Sequence, residues 1–222
     1  SHRECLLLAL QQAQIRRGHT WPNPAVGAVL VRSSEVLCSA YHAGTGQPHA
    51  EVEVLSEFEN VDQEDILYVT LEPCCHHGRT PPCTDLIIEK GIRTVYFAYF
   101  DPNKKVSGKG QQQLLLAGVN CVHIEVAEIN AFYSAYAFWS QNGISKVTAK
   151  IAVSEDLKYT DKKYKPIALT GAEACDHTHQ QRDDHSAIMT SVNTILHDDP
   201  QMNVRLAGEI TSKCVVVLDH YL

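Results

Sequence analysis

The chain has 222 residues, of which 44% are hydrophobic and 20% are charged, and its formal net charge at pH 7 is -7. This length accommodates one large domain, or one complete domain and a smaller unit. The acidic balance argues against general affinity for nucleic acid, and no apolar run approaches the roughly 18 residues of a membrane span, so neither is an expected partner.

Helices and strands alternate in the first part of the chain. Residues 4–17 place apolar side chains at helical spacing, and Gly18 follows as a stop signal, so we predict a helix at the start. Two strand-like runs, 26–31 and 35–41, are separated by a pair of serines and predict a hairpin. The elements expected next are a helix, a strand and a helix, at residues 49–58, 66–71 and 84–90.

The alternation continues to about residue 140. The pattern predicts a strand, a helix, a strand and a helix, at residues 94–99, 111–117, 121–126 and 129–140. Strands that alternate with helices favour an α/β fold with parallel crossover connections. The lysine-rich stretch 154–166 interrupts the pattern and predicts a long loop. We place a domain boundary near Gly143, which gives domains at residues 1–143 and 144–222.

The eight cysteines are unevenly distributed. One short segment contains three of them, Cys74, Cys75 and Cys83, together with His76 and His77. The other five cysteines are scattered along the chain. The start of the chain has no basic, apolar and small-residue pattern typical of a signal peptide, so we expect a reducing cytoplasmic environment. The cluster therefore indicates a metal site and not disulfide bonds.

One imidazole, two thiols and one carboxylate supply the parts of a catalytic zinc site. We predict His49, Cys74 and Cys83 as the metal ligands. Three protein ligands leave the fourth zinc position to a water molecule, whose pKa the metal lowers. Glu51, two residues after His49, is the predicted catalytic residue because it can move protons beside that water. The pattern His-x-Glu, Pro-Cys, Cys is that of the zinc-dependent base deaminases.

The gap between Cys74 and Cys83 departs from the usual deaminase spacing. Eight residues separate the two cysteines, whereas the usual gap is roughly two. The inserted residues, 75–82, include two imidazoles, one guanidinium and one hydroxyl. These groups suit the binding of a polar or anionic substrate.

The motifs HAE and TLEPCCHHGRTPPC, preceded by PNPAVGAVLV and followed by DPN and SGKG, resemble the deaminase half of the bacterial riboflavin-biosynthesis deaminase/reductase family. The resemblance covers about residues 4–145. It implies a three-layer cytidine-deaminase-like domain with a mixed sheet between helices, and Zn²⁺ as cofactor. The implied reaction is hydrolytic deamination of 2,5-diamino-6-ribosylamino-4(3H)-pyrimidinone 5′-phosphate.

The resemblance also implies a set of substrate-binding residues. They align with substrate contacts of the family and are Asn23, His42, Ala50, His76, Arg79, Thr80, Asp101 and Asn103. Asn23 offers an amide for the ring edge, and Arg79 offers paired hydrogen bonds for the phosphate. Family members associate through the reductase half, which leaves a homo-oligomer open.

The remainder of the chain resembles the start of the reductase half of the same family. The residues at matching positions are Arg182, Thr194, Asp198 and Arg205. Thr194 and Asp198 would face NADPH, and the two arginines the substrate phosphate or ribityl chain. Because the sequence stops at Leu222, we expect a partial dihydrofolate-reductase-like α/β segment that binds NADPH only within a complete reductase domain. Whether the chain is a fragment or the segment is an accessory unit stays open.

Other interpretations remain open at this stage. A fourth ligand from His76 or His77 would make the zinc site structural, as in a non-catalytic assembly module. The enzyme could also deaminate another nucleobase or nucleotide. Asn23 and the Asp101 to Asn103 segment are good turn sequences as well as candidate contacts. Three further histidines, His177, His179 and His185, are interpreted as ordinary helix and loop residues.

Overall fold

The computed structural model describes residues 1–77, 81–104, 106–159 and 169–220. The chain divides into two compact units, residues 1–146 and 147–222. The predicted boundary at Gly143 lies three residues before this division. Within the described residues, no helix is both long enough and apolar enough to cross a bilayer.

The first unit contains a five-stranded mixed sheet. Its strands are β1 (Gly27–Arg32), β2 (Glu35–Tyr41), β3 (Ile66–Val69), β4 (Thr94–Phe97) and β5 (Asn120–His123). They lie in the order β2-β1-β3-β4-β5. β1 is antiparallel to both of its neighbours, whereas β3, β4 and β5 are parallel to one another. The prediction of a hairpin followed by parallel crossovers is therefore confirmed.

Five helices accompany this sheet: α1 (His2–Ile15), α2 (Ala50–Ser56), α3 (Cys83–Glu89), α4 (Lys109–Leu116) and α5 (Ala127–Asn142). α1 packs on β1 and against α5, while α2, α3 and α4 contact one another in series. β1 is buried on both faces, as its unbroken apolar sequence requires. The predicted three-layer arrangement, with a mixed sheet between helices, is confirmed.

Two local features place α1 against the sheet. The helix begins at His2, two residues earlier than the apolar spacing predicts, because Ser1 and Glu4 form a capping box. The backbones of α1 and β1 then approach closely at Gly27. A Cβ atom at Gly27 would lie 2.0 Å from the carbonyl oxygen of Ala9, so only glycine fits there.

The parallel strands bring the next part of the chain together at one edge. β3 and β4 are in register, with Val69 opposite Phe97, so the segments that follow both strands leave the sheet side by side. The N–H of Glu72 continues this contact by donating to the carbonyl of Tyr99 at 2.8 Å. Ligand sites of α/β folds lie at the carboxyl ends of such strands. This edge carries Cys74 after β3 and Asp101 after β4.

The described residues of the second unit form two helices and four short strands. They are α6 (Ala172–Asp184), β6 (Ala187–Ser191), α7 (Val192–Asp198), β7 (Val204–Leu206), β8 (Glu209–Thr211) and β9 (Cys214–Leu218). β6 pairs with β9 in parallel, β7 with β8 in antiparallel orientation, and α6 packs on β7. This agrees with the predicted α/β segment.

The described part of the predicted loop is short. Residues 154–159 form a turn in which the Ser154 hydroxyl donates to the carbonyl of Lys158, and residues 160–168 lie outside the described part of the chain. His177 and His179 belong to α6, and His185 directly follows it. Among the described residues, none of these histidines lies in a group of potential metal ligands.

An ion pair between the half-exposed Arg32 and the buried Asp65 joins the end of β1 to the start of β3. Arg32, the last residue of β1, donates to the Asp65 carboxylate from Nε at 2.7 Å and from Nη2 at 2.9 Å. The Asp65 side chain is fully buried, and it also accepts the N–H of Asp62. The Arg32 guanidinium holds the pKa of the Asp65 carboxyl below its ordinary value of 3.8.

We expect Asp65→Asn to lower the free energy of unfolding at pH 7 by about 1 to 3 kcal/mol, because the Arg32 guanidinium and the N–H of Asp62 lose a charged acceptor. A lowered folded-state pKa stabilises the protein fully above the ordinary pKa, and this contribution disappears as the pH falls through the lowered value. Urea denaturation at several pH values measures both effects. Glu64→Gln, at an exposed neighbouring carboxylate, is the control. A difference between Asp65→Asn and the parent that does not shrink in acid would contradict the ion-pair explanation.

Candidate functional site

A cavity of about 390 Å³ opens at the carboxyl edge of the sheet in the first unit. Its wall contains two of the three predicted metal ligands and the predicted catalytic carboxylate. The predicted site residues that line it are Asn23, His42, His49, Glu51, Cys74, His76 and Asp101. Segments far apart in the sequence therefore meet around one space.

The three predicted metal ligands converge. Nδ1 of His49 lies 3.5 Å from Sγ of Cys74 and 3.3 Å from Sγ of Cys83. All three ligand atoms lie within 4.8 Å of one another, and the described residues contain no other such group. Tetrahedral zinc, with Zn–N near 2.0 Å and Zn–S near 2.3 Å, would place nitrogen and sulfur about 3.6 Å apart. The donor set and its spacing fit a zinc ion.

The backbone around the ligands explains why they meet. His49 immediately precedes α2 in an extended conformation, and Cys83 is the first residue of α3. The N–H of Cys83 donates to Sγ of Cys74 at 3.3 Å, and the N–H of Thr84 donates to the Cys74 carbonyl at 3.1 Å. The first turn of α3 thus fixes Cys74. Both ends of the segment inserted between the two cysteines therefore lie at the ligand group.

Contacts within the ligand group favour the thiolate form of Cys74 over that of Cys83. Hydrogen bonding from Cys83, and then from His49, lowers the pKa of Cys74 to about 4, although burial opposes this shift. The same contact raises the pKa of Cys83, and burial raises it further. The bond to Cys74 raises the pKa of His49 to about 9. A metal that binds here must therefore displace protons from His49 and Cys83.

Glu51 lies beside this cluster without belonging to it. It occupies the first turn of α2 and is only 4% exposed. Burial, followed by the charge of Cys74, raises the pKa of the Glu51 carboxyl to about 7. A carboxyl group with such a pKa can both take up and release a proton near neutral pH. Its position suits a proton carrier next to the predicted metal.

His42 and Asn23 form an ordered pair in the cavity wall. Nδ1 of His42 must donate to the carbonyl of Pro48 at 2.8 Å, because a carbonyl oxygen only accepts. Burial lowers the pKa of His42, which favours the neutral ring. Its Nε2 then accepts the Nδ2 amide hydrogen of Asn23 at 3.1 Å. The amide oxygen of Asn23 is consequently the acceptor that this residue can offer to a ligand.

The remaining predicted substrate contacts differ in their placement. Asp101 accepts the N–H of Asn103 at 2.8 Å, and burial raises the pKa of the Asp101 carboxyl. Asn103 is exposed and Ala50 is fully buried, and the cavity wall formed by described residues includes neither side chain. Two further predicted contacts, Arg79 and Thr80, lie outside the described residues.

Several described residues of the cavity wall were not predicted as site residues, among them Glu72 and Tyr136. Glu72 is 5% exposed, and Tyr136 projects from α5. The position of Glu72 two residues before a metal ligand is a signal that could have identified it. Tyr136 belongs to no motif, so nothing in the sequence distinguishes it from the other aromatic residues of its helix.

The structure brings together the two predicted arginines of the second unit. Nη1 of Arg182 donates to the carbonyl of Asn203 at 3.0 Å, and Nη1 of Arg205 donates to Oδ1 of the same residue at 2.6 Å. Burial, followed by the charge of Arg205, lowers the pKa of Arg182. Thr194 and Asp198 both lie on α7, one helical turn apart.

Two family models match the chain. Residues 1–99 match the cytidine and deoxycytidylate deaminase zinc-binding region, and residues 145–222 match the RibD C-terminal domain. The two matches fall in the first and second units, respectively, apart from two residues before the division.

Curated relatives are similar along nearly the whole chain. The riboflavin biosynthesis protein RibD of Aquifex aeolicus is 38% identical over 216 residues, which cover 96% of this chain and 60% of that protein. The Escherichia coli protein of the same name is 36% identical and is covered to 54%. The chain thus spans between half and two thirds of these relatives.

Solved structures show the same similarity. Acinetobacter baumannii RibD superposes with a TM-score of 0.87 at 30% identity, over all of this chain and 64% of its own. A Thermotoga maritima protein superposes with a TM-score of 0.89 at 32% identity, over 98% of this chain and 63% of its own. That protein is described as a diaminohydroxyphosphoribosylaminopyrimidine deaminase/5-amino-6-(5-phosphoribosylamino)uracil reductase.

We predict that Cys83→Ser lowers the zinc content of the purified chain from about one ion per chain to a small fraction, because a hydroxyl is a poor substitute for a thiolate ligand. Elemental analysis after dialysis measures the content. Cys75→Ser is the matched control, since Cys75 is adjacent to Cys74 but outside the ligand group. Equal zinc loss in both variants would contradict the proposed ligand set.

Proposed function

We propose that the chain is a member of the RibD deaminase/reductase family, and that its first unit is a zinc-dependent hydrolase that deaminates 2,5-diamino-6-ribosylamino-4(3H)-pyrimidinone 5′-phosphate in riboflavin biosynthesis. The matches of both units to family models and to RibD relatives support this proposal. The observation with the most weight is the buried carboxyl of Glu51 beside the His49, Cys74 and Cys83 group, within one cavity. A structural metal site has no need of such a carboxyl.

The proposed chemistry assigns the proton transfers to Glu51. Zinc held by the three ligands would supply the Lewis acidity that activates a water molecule. The Glu51 carboxylate takes one proton from the attacking water and delivers it to the ring nitrogen. It then takes the proton of the added hydroxyl group and delivers it to the departing amino group. The products are the ring carbonyl compound and ammonia. The pKa of Glu51 suits both directions of this transfer.

The cavity wall supplies polar groups for the ring and its substituent. The Asn23 amide oxygen, held by the pair with His42, accepts a ring N–H or amino hydrogen. His76 and Asp101 line the same space and contribute further polar contacts. The family resemblance assigns the phosphate to Arg79 and includes Thr80, Ala50 and Asn103 among the substrate contacts.

Two alternatives are less favoured. A closed structural site needs a fourth protein ligand, but the ligand group of the described residues contains three members and does not include His76 or His77. A deaminase for another nucleobase has no need of the cationic insert between Cys74 and Cys83. The insert therefore favours a phosphorylated ribosylaminopyrimidine.

We further propose that the second unit is part of a reductase half. Its match to the RibD C-terminal domain supports this assignment. The adjacent Arg182 and Arg205 suit an anionic substrate group, and Thr194 and Asp198 would face NADPH. NADPH binding is expected of a complete reductase domain. A cytoplasmic location and a homo-oligomeric state are part of the same proposal.

Glu51→Gln should retain zinc and reduce ammonia release by about 10²- to 10⁴-fold, because the amide cannot carry the transferred proton. Ammonia is followed with the ribosylaminopyrimidine phosphate, and with cytidine and adenosine for comparison. Glu53→Gln, at a more exposed carboxylate of the same helix, should remain active. Undiminished turnover in Glu51→Gln would refute the catalytic role, and loss of folding would point to a structural one.

Arg79→Ala should raise KM for the phosphorylated substrate by about tenfold or more, while KM for the dephosphorylated compound changes little. The reason is that the lost guanidinium bonds are made only to the phosphate. Steady-state kinetics with both compounds measure the two effects. Arg93→Ala removes an exposed charge of the same unit and serves as the control. Equal effects of Arg79→Ala on both compounds would count against phosphate recognition.

A further inference from the structure

Glu72 is a buried carboxylate that the proposed chemistry does not use. It follows β3, is 5% exposed, and stands two residues before the metal ligand Cys74. Burial of a charged carboxylate is costly unless hydrogen bonds replace its water. The surroundings of Glu72 therefore indicate what the side chain does.

Three backbone N–H groups supply these hydrogen bonds. Oε2 of Glu72 accepts from Asp101 at 3.3 Å and from Gly108 at 2.9 Å, and Oε1 accepts from Gln111 at 3.1 Å. Both oxygens are thus engaged. Gly108 and Gln111 belong to the cap and first turn of α4, where N–H groups have no partner within the helix. A negative charge is also favourable at this end of a helix.

A glycine makes this contact possible. Gly110, in the first turn of α4, is buried against the segment that contains Glu72. A Cβ atom there would lie 2.0 Å from the carbonyl oxygen of Pro73 and 3.2 Å from Oε1 of Glu72. The helix can approach Glu72 this closely only because position 110 has no side chain.

The hydrogen bonds of Glu72 also hold part of the cavity wall in place. Asp101 lines the cavity and accepts the N–H of Asn103, so the two residues form one turn. Glu72 holds the backbone at the start of this turn and, farther along the chain, the start of α4. Because Cys74 follows two residues later on the same segment, the turn is held at a fixed position relative to the metal ligands.

We propose that Glu72 is a positioning residue, which sets substrate affinity by holding the Asp101 to Asn103 turn beside the metal site. It acts through backbone hydrogen bonds and not by contact with the reacting atoms. This inference rests on the proposed deaminase function, because Asp101 and Asn103 are candidate substrate contacts of that reaction.

The test is Glu72→Gln, which keeps the size of the side chain but replaces one acceptor oxygen by an amide that cannot accept an N–H. We expect unchanged zinc content, a KM for the ribosylaminopyrimidine phosphate raised about tenfold, and kcat within about twofold of the parent, because the loss affects binding. Hydrogen exchange of the Asp101, Gly108 and Gln111 amides should become faster, because these three N–H groups donate to Glu72. Glu72→Asp, which keeps both oxygens on a shorter arm, should give a smaller rise in KM.

Asp65→Asn is the matched control, since it removes a buried carboxylate of the same unit that contacts neither the turn nor the cavity wall. An equal rise in KM in this control would attribute the effect to general destabilisation and overturn the proposal. Zinc loss in Glu72→Gln, a fall in kcat alone, or unchanged exchange at the three amides that donate to Glu72 would overturn it as well. A parent chain that binds zinc but releases no ammonia would refute the proposed function, while the exchange measurement would still decide whether Glu72 holds the turn.

Discussion

The sulfur of Cys74 is the point at which the separate parts of the site are joined. It faces the imidazole of His49, accepts the N–H of Cys83, and follows the strand whose parallel partner leads to Asp101. Each of these contacts depends on a different element, namely α2, α3 and β3 with β4. The position of the ligands therefore depends on the packing of the whole first unit, and especially on the register of the parallel strands.

Two buried carboxylates near this sulfur have contrasting environments. Glu72 is saturated by three backbone N–H groups, which fix its orientation. Glu51 is as deeply buried, and burial dominates the shift of its pKa toward neutrality. A carboxylate that is fully hydrogen-bonded suits a scaffold, whereas one with a near-neutral pKa suits proton exchange. The same residue type is thus suited to two different roles by the hydrogen-bond donors that surround it.

The sequence predicted those features that depend on local pattern. Apolar periodicity predicts the hairpin and the alternating helices. The residue types of the predicted ligands indicate a zinc site from the sequence alone. Features that depend on distant contacts were missed. No sequence pattern near Glu72 indicates that the amides of α4 donate hydrogen bonds to it. Likewise, the capping box at Ser1 starts the first helix earlier than the apolar spacing predicts. The placement of Ala50 and Asn103 outside the cavity wall likewise follows from tertiary packing, which spacing cannot express.

The closure of the segment between Cys74 and Cys83 by the first turn of α3 bears on how such an enzyme can diversify. The contacts of Cys83 and Thr84 with Cys74 fix both ends of the segment, whatever its length. Each doubling of a flexible loop costs only about 0.6 kcal/mol in closure entropy, so lengthening such a segment costs little stability. A lineage can therefore lengthen and rewrite this segment to select new substrates while the metal chemistry is inherited unchanged.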